Sequence, residues 1–217
     1  MVNDMLYDKD IRESLFDFLD DTYGKNRIIE EKQMGKSRAD VVMVTPEAVY
    51  GIEIKSDADT YARLKRQVRD YNQYYDYNYV VVGTRHAMHI EEHVPSCWGI
   101  ITVEQDNGIL DFYILRKPEN NPKMKWKKKL GMLWRPELAH IQELNQLPKY
   151  KEKSKDFVIE KILERVPEDV LQVQLCEELF QRDYSTIAEQ IATYKKVSRK
   201  VSKTTTKRGY KSKKKSR

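Results

Sequence analysis

Asp40, Glu53 and Lys55 are the residues whose types and spacing could do chemistry together. In "GIEIKSD", residues 51–57, Ile52 and Ile54 alternate with Glu53 and Lys55. A strand here turns two apolar side chains to a core and presents a carboxylate and an ammonium on its other face. The bland alternative is an exposed ion pair, worth little. Asp40, in "RADVV", has 12 residues between it and Glu53, a separation that two antiparallel strands joined by a short turn can close. Two carboxylate oxygens at one sheet edge suit a hard cation such as Mg²⁺, with Mn²⁺ as its substitute. An ammonium beside them could orient or deprotonate a water. Gln67 and Tyr71, spaced four apart, share one face of the next helix, which also carries Arg63, Lys65, Arg66 and Arg69 to meet phosphates.

The elements that must position these residues follow from apolar spacing. "DKDIRESLFDFLDDTYGK" places Ile11, Leu15, Phe18 and Leu19 at helical intervals, with Asp8 or Asp10 as cap and Gly24 as stop. "NRIIEEKQM", "RADVVMV" and "AVYGIEIKS" read as strands, separated by turns at 35–37 and at Pro46 and Glu47. A helix is predicted from Asp59 to about Tyr75, then "YNYVVVG" as a strand buried on both sides. "WGIITVEQDNGILDFYIL" predicts a hairpin about Asn107 and Gly108. The order α-β-β-β-α-β plus a hairpin makes one mixed α/β domain over 1–117. A Lys-rich linker, 118–133, carries Lys125 and Lys127 around Trp126. A small helical domain, 134–194, contains "RPELAHIQELNQL", "SKDFVIEKILERV" capped by Ser154, and "PEDVLQVQLCEELFQR".

Charge divides the chain differently. From Lys195 to Arg217 there are 12 Lys and Arg and no acid, leaving 28 basic and 34 acidic residues elsewhere. The net of +6 therefore belongs to the tail, over a body of net −6. A Lys, Ser and Thr tail with few apolar residues is predicted to be disordered, and such tails bind polyanions by counterion release; a passive solubilising end is the alternative. With 34% charged residues and no apolar run of roughly 18, no membrane partner is expected. The acidic start MVNDMLYDKD lacks a signal-peptide apolar region, so the expected location is cytoplasmic, where Cys97 and Cys176 stay reduced.

Asp40 followed by Glu53-Ile54-Lys55, within an αβββαβ order, resembles the PD-(D/E)xK nuclease superfamily with its restriction-endonuclease-like fold and mixed central sheet. Gln67-Val68-Arg69-Asp70-Tyr71 is similar to the QxxxY motif of its RecB-like branch. The resemblance covers roughly residues 5–83, and the helical C-terminal region points to a bacterial branch. Ala39 stands where the name-giving proline would be. The resemblance implies a metal-dependent DNA nuclease of repair, recombination or phage and mobile-element DNA processing. Asp40 and Glu53, with the Ile54 carbonyl, would hold Mg²⁺, and Glu13 corresponds to a carboxylate that often completes the site. Lys55 would act on the attacking water. Gln67 and Tyr71 would position the metal site or the nucleic-acid backbone, with ordinary helix packing as the alternative, and Arg63, Arg66, Lys125 and Lys127 would meet nucleic acid. A homodimer, and a partner protein docked on the helical region, are left open. The alternative is a non-catalytic nucleic-acid-binding or recruitment protein that retains the fold.

Other signals carry less. His89-Ile90-Glu91-Glu92-His93 matches the HxxEH pattern of inverted zinc proteases, but that chemistry needs both histidines on one stable helix. Here the segment runs into Val94-Pro95. There is no G-x-S-x-G elbow and no phosphate-cradling G-x-x-x-x-G-K-[ST] loop. The tyrosines at 71–79 could stack bases, or form a core junction between helix and strand.

Overall fold

The computed structural model describes residues 6–182; the end of the predicted helical domain and the basic tail lie outside them. Six strands form one sheet in sequence order: β1 (Arg27–Met34), β2 (Ser37–Val44), β3 (Val49–Lys55), β4 (Tyr77–Gly83), β5 (Gly99–Asp106) and β6 (Ile109–Arg116). The β3–β4 and β4–β5 pairs are parallel and the other three antiparallel. The fold is thus mixed α/β, with a mostly antiparallel open sheet. Helix α1 (Asp8–Tyr23) precedes β1, and α2 (Leu64–Tyr71) connects β3 to β4. A short α3 (Thr84–Ala87) leads toward β5, and α4 (Trp126–Leu130), α5 (Arg135–Leu144), α6 (Lys155–Leu163) and α7 (Glu168–Gln181) follow the sheet. Among the described residues no helix is long and apolar enough to cross a membrane.

Strand alternation sends alternate residues to two apolar layers. On one face Ile11, Leu15 and Leu19 of α1 cover Val41, Met43, Ile52, Ile54, Val81 and Val103. On the other, Val42, Val44, Val80 and Val82 share a core with Leu64, Tyr71 and Tyr75, and also with Leu133, Leu138, Ile162 and Leu175 from the helices after the sheet. The tyrosines at 71, 75 and 79 are fully buried, so they form the core junction and stack no base. Gly51 makes room for two of them: a Cβ there would sit 2.2 Å from the Tyr75 ring and 2.6 Å from that of Tyr71.

Two sequence expectations need correction. The helix predicted from Asp59 to Tyr75 is shorter. It starts as a 3₁₀ turn at Tyr61–Arg63, because Asp59 instead closes the preceding loop, accepting from the Ser56 N–H at 3.0 Å and hydroxyl at 2.7 Å. Past Tyr71 it breaks into turns that carry Tyr75 into the core. The second correction concerns the boundaries at 117 and 133. The chain through Phe180 is one compact unit, and the Lys-rich stretch, most of whose lysines are exposed, sends one of them into its interior. Lys129 of α4 is fully buried and donates to Asp76 at the start of β4 and to Gln172 of α7. Asp76 also accepts from the Val49 N–H at 2.8 Å and from Gln172 Nε2 at 3.0 Å. One carboxylate therefore joins β3, β4, α4 and α7. A lysine run reads as a solvated linker, but one member with a buried acceptor becomes a tie.

Candidate functional site

The site begins where two ladders stop. β2 pairs with β3 only as far as Val41↔Ile52, one step short of Asp40 and Glu53. On the other side β2 pairs Val41 with Glu30 and Ala39 with Lys32, while Glu31 between them takes φ 52°. Asp40 thus leaves the regular ladder, and side chains satisfy its peptide groups. Its N–H donates to the Tyr71 hydroxyl at 3.2 Å, and its carbonyl accepts from Arg12 Nη1 at 3.1 Å. The Tyr71 hydroxyl in turn donates to the Ile52 carbonyl at 3.1 Å, bridging β2 and β3 as they part. The Ile54 N–H, left without a strand partner, donates to Asp40 Oδ2 at 2.9 Å. The splay of the two strands therefore aims the Asp40 carboxylate at the end of β3.

Glu53 and Lys55, two apart on β3, face α2. The Lys55 ammonium donates to Glu53 Oε1 at 2.6 Å, with side chains 5% and 0% exposed. Gln67 of α2 donates to the same oxygen. Glu53 Oε2 and Gln67 Oε1 are buried with no hydrogen-bond partner. An orphaned buried carboxylate oxygen is costly. Burial, and next the Asp40 charge, push the Glu53 carboxyl up to about 7 against the pull of Lys55. Burial also raises Asp40, opposed by the Ile54 N–H and by Lys55. Burial thus outweighs the attraction of Lys55 and Arg12, and both carboxylates resist ionisation side by side.

These groups open on a cavity of about 260 Å³. Lys36 from the β1–β2 turn, Arg38 at the start of β2, Arg63 from the 3₁₀ turn and Arg66 of α2 ring it, all four exposed. The turn is held to α2 by Ser37, whose hydroxyl donates to the buried Asp70 at 2.5 Å. The result is an acidic floor with a basic rim. A larger cavity, about 680 Å³, lies between α1 and the β5–β6 hairpin; Asp10, Asp17, Asp21 and Asp111 line it, without a base or a positive rim.

Of the residues singled out in the sequence, Asp40, Glu53, Ile54, Lys55, Gln67, Arg63 and Arg66 line the one cavity. Four others fall elsewhere. Glu13 is exposed and does not line it; the apolar stripe of α1 turns Asp8 and Arg12, one helical turn apart, toward the site instead. Tyr71 is fully buried beneath the site, so it braces the strands and cannot meet nucleic acid. Lys125 is exposed away from the cavity, and Lys127 pairs with Glu160 of α6 at 2.6 Å. Sequence reasoning missed Asp8, Arg12, Lys36, Arg38 and Asp70. The i,i+4 spacing of Asp8 and Arg12 and the basic "GKSR" turn were the available signals. The HxxEH histidines share no stable helix: His89 precedes a 3₁₀ turn, Ile90–Glu92, and the His93 ring stacks on Tyr61 at 4.0 Å.

The donor set suits a hard cation in kind. Among the described residues no group of three or more His, Cys, Asp and Glu is placed to hold a metal. A cation here would rely on two carboxylates and neutral oxygens, and the orphaned Glu53 Oε2 and Gln67 Oε1 are such atoms. Comparison with curated proteins gives no match, and neither does comparison with solved structures. A family profile described as bacteriophage P4 protein cII matches residues 1–204, and the chain belongs to that family.

Proposed function

We propose that the protein is a metal-dependent phosphodiesterase acting on DNA, with a restriction-endonuclease-like core. The carrying observation is the convergence of Asp40, Glu53, Lys55 and Gln67 on one cavity, where a buried Glu53 oxygen lacks a partner beneath a ring of four cations. The order α1-β1-β2-β3-α2-β4, with Asp40 where β2 leaves the ladder, supports the same reading. The bacteriophage name in the family description supports a setting in phage or mobile-element DNA processing.

Asp40 and Glu53, with the Ile54 carbonyl and the Gln67 amide oxygen, would hold Mg²⁺. When bound, the cation supplies charge neutralisation at the scissile phosphate and acidifies the attacking water. The protein's own groups do the rest. Lys36, Arg38, Arg63 and Arg66 grip phosphates on either side and orient the chain. Lys55 Nζ, held against Glu53, would donate a hydrogen bond to the oxygen of the attacking water and stabilise charge growing on the phosphoryl oxygens. Water adds to phosphorus, the ester P–O bond breaks, and the leaving oxygen takes up a proton. Tyr71 and Arg12 keep Asp40 in place.

The test is cleavage of plasmid, linear and branched DNA with Mg²⁺ or Mn²⁺, comparing wild type with Asp40→Asn and Lys55→Ala. Asparagine still accepts from the Ile54 N–H, so folding is kept while the charge is lost. Cleavage should fall by about 10²-fold or more in both variants. Metal-dependent cleavage that survives both substitutions would sink the assignment. A second reading, a nucleic-acid binder without catalysis, is favoured by the small number of carboxylates at the site. Calorimetric titration with Mn²⁺ separates the two, since the binder takes up no metal while DNA binding is intact.

A further inference from the structure

The sequence of β6, ILDFYILR, is apolar on both faces, as for a strand in a sheet interior, yet β6 is the outermost strand. Leu110, Phe112 and Ile114 pack toward α1. Ile109, Tyr113 and Leu115 on the opposite face are 68%, 51% and 56% exposed. Natural edge strands are blunted by lysine, proline or irregularity. From Ile109 to Ile114 this one has only Asp111, and the ladder stays in register until a shift next to Leu115.

The hairpin fixes which backbone groups are free. Asn107 and Gly108 take φ 50° and 83°, a two-residue turn closed by the Asp106↔Ile109 pair. Alternation then turns the peptide groups of Ile109, Asp111 and Tyr113 toward β5, and those of Leu110, Phe112 and Ile114 outward. We propose that this edge pairs antiparallel with β6 of a second copy of the chain, joining two sheets into one across a two-fold axis at Phe112. In that register Leu110 exchanges hydrogen bonds with Ile114 of the second copy, and Phe112 with its own counterpart. On the bare face Ile109 meets Leu115, and Asp111 meets the Tyr113 hydroxyl. Across that axis the apolar ends, Ile109 and Leu115, meet each other and Asp111 falls opposite Tyr113, so no like charges are opposed, as an isologous interface requires. That match selects a second copy over an unrelated strand.

The test uses the full chain and sedimentation from about 1 to 100 µM. Wild type should pass from one chain to two as concentration rises. The pair Ile109→Lys with Leu115→Lys sets ammonium against ammonium across the axis and should stay a single chain. Ile109→Lys with Leu115→Glu sets opposite charges in the same places and should restore the dimer. Both substituted positions are exposed, and circular dichroism checks folding. A wild type that is a single chain throughout overturns the proposal, as does a dimer indifferent to the Lys–Lys pair. Hydrogen exchange at Leu110, Phe112 and Ile114 should slow on dimerisation. Equal protection in the Lys–Lys variant would show that the chain covers its own edge, again overturning it.

Discussion

Glu53 should make the metal-free protein less stable as pH rises, and Glu53→Gln should remove that dependence. In the unfolded chain the carboxyl titrates near 4.5; in the fold, burial and Asp40 carry it to about 7. Because the folded value is the higher, the folded state binds the proton more tightly. The stabilisation is therefore complete below about pH 4.5 and is lost as pH passes through 7. A shift of about 2.5 units corresponds to about 3 kcal/mol. For a chain of this size that is a fall in Tm of about 6–12 °C between pH 5 and 8 in excess of the other titrating groups. The informative quantity is a difference of slopes. Glu53→Gln shifts the whole curve, because Lys55 loses its anion, but its curve should be flatter than wild type's across that window. Chemical denaturation in chelator at half-unit pH intervals measures both. Parallel wild-type and Glu53→Gln curves would refute the reasoning, placing Glu53 in a wetter or better-paired site than its burial implies. Added Mn²⁺ should flatten the wild-type curve, since the ionised form then gains a partner.

Two further outcomes follow from single side chains. Tyr71→Phe deletes the hydroxyl that serves the Asp40 N–H and the Ile52 carbonyl, and should cost about 2 kcal/mol in denaturant unfolding while weakening Mn²⁺ binding; a variant within about 0.5 kcal/mol of wild type would leave the brace without energetic content. Lys129→Ala strips Asp76 of its buried cation and should cost about 3–5 kcal/mol, read as loss of cooperative unfolding at lower denaturant, with no preferential effect on metal affinity.

What could be read in the sequence is what local periodicity encodes. The period-two alternation at Ile52–Lys55 and the turn before it bring Asp40, Glu53 and Lys55 together, because strand pairing leaves few other arrangements. The Asn107–Gly108 hairpin is legible for the same reason: the turn residues dictate the geometry. Which carboxylate of α1 approaches the site depends on how the helix rolls on the sheet, and a single stripe of Ile11, Leu15 and Leu19 does not distinguish the flank of Asp8 from that of Glu13. Tyr71 shares a helix face with Gln67 and also lies on the apolar stripe of α2; spacing does not choose between the two, and one turn of the helix carries that face from cavity wall to core. The fate of Lys129 was illegible: a lysine among lysines reveals nothing until Asp76, distant in the chain, is placed beside it. The exposure of β6 is likewise a property of strand order, which the residues of that strand do not encode.

The Asp76 junction bears on how such a chain can be inherited. Val42, Val44, Val80 and Val82 are kept dry by α2 together with the helices that follow the sheet, and Asp76 fastens α4 and α7 at the end of β3 and β4 remote from the cavity. A fragment ending after the hairpin would contain every residue of the candidate site and still should not fold alone, since one face of its sheet would lose most of its cover. The sheet can therefore be transplanted only together with its helices. The smallest portable unit is the whole of the chain through Phe180.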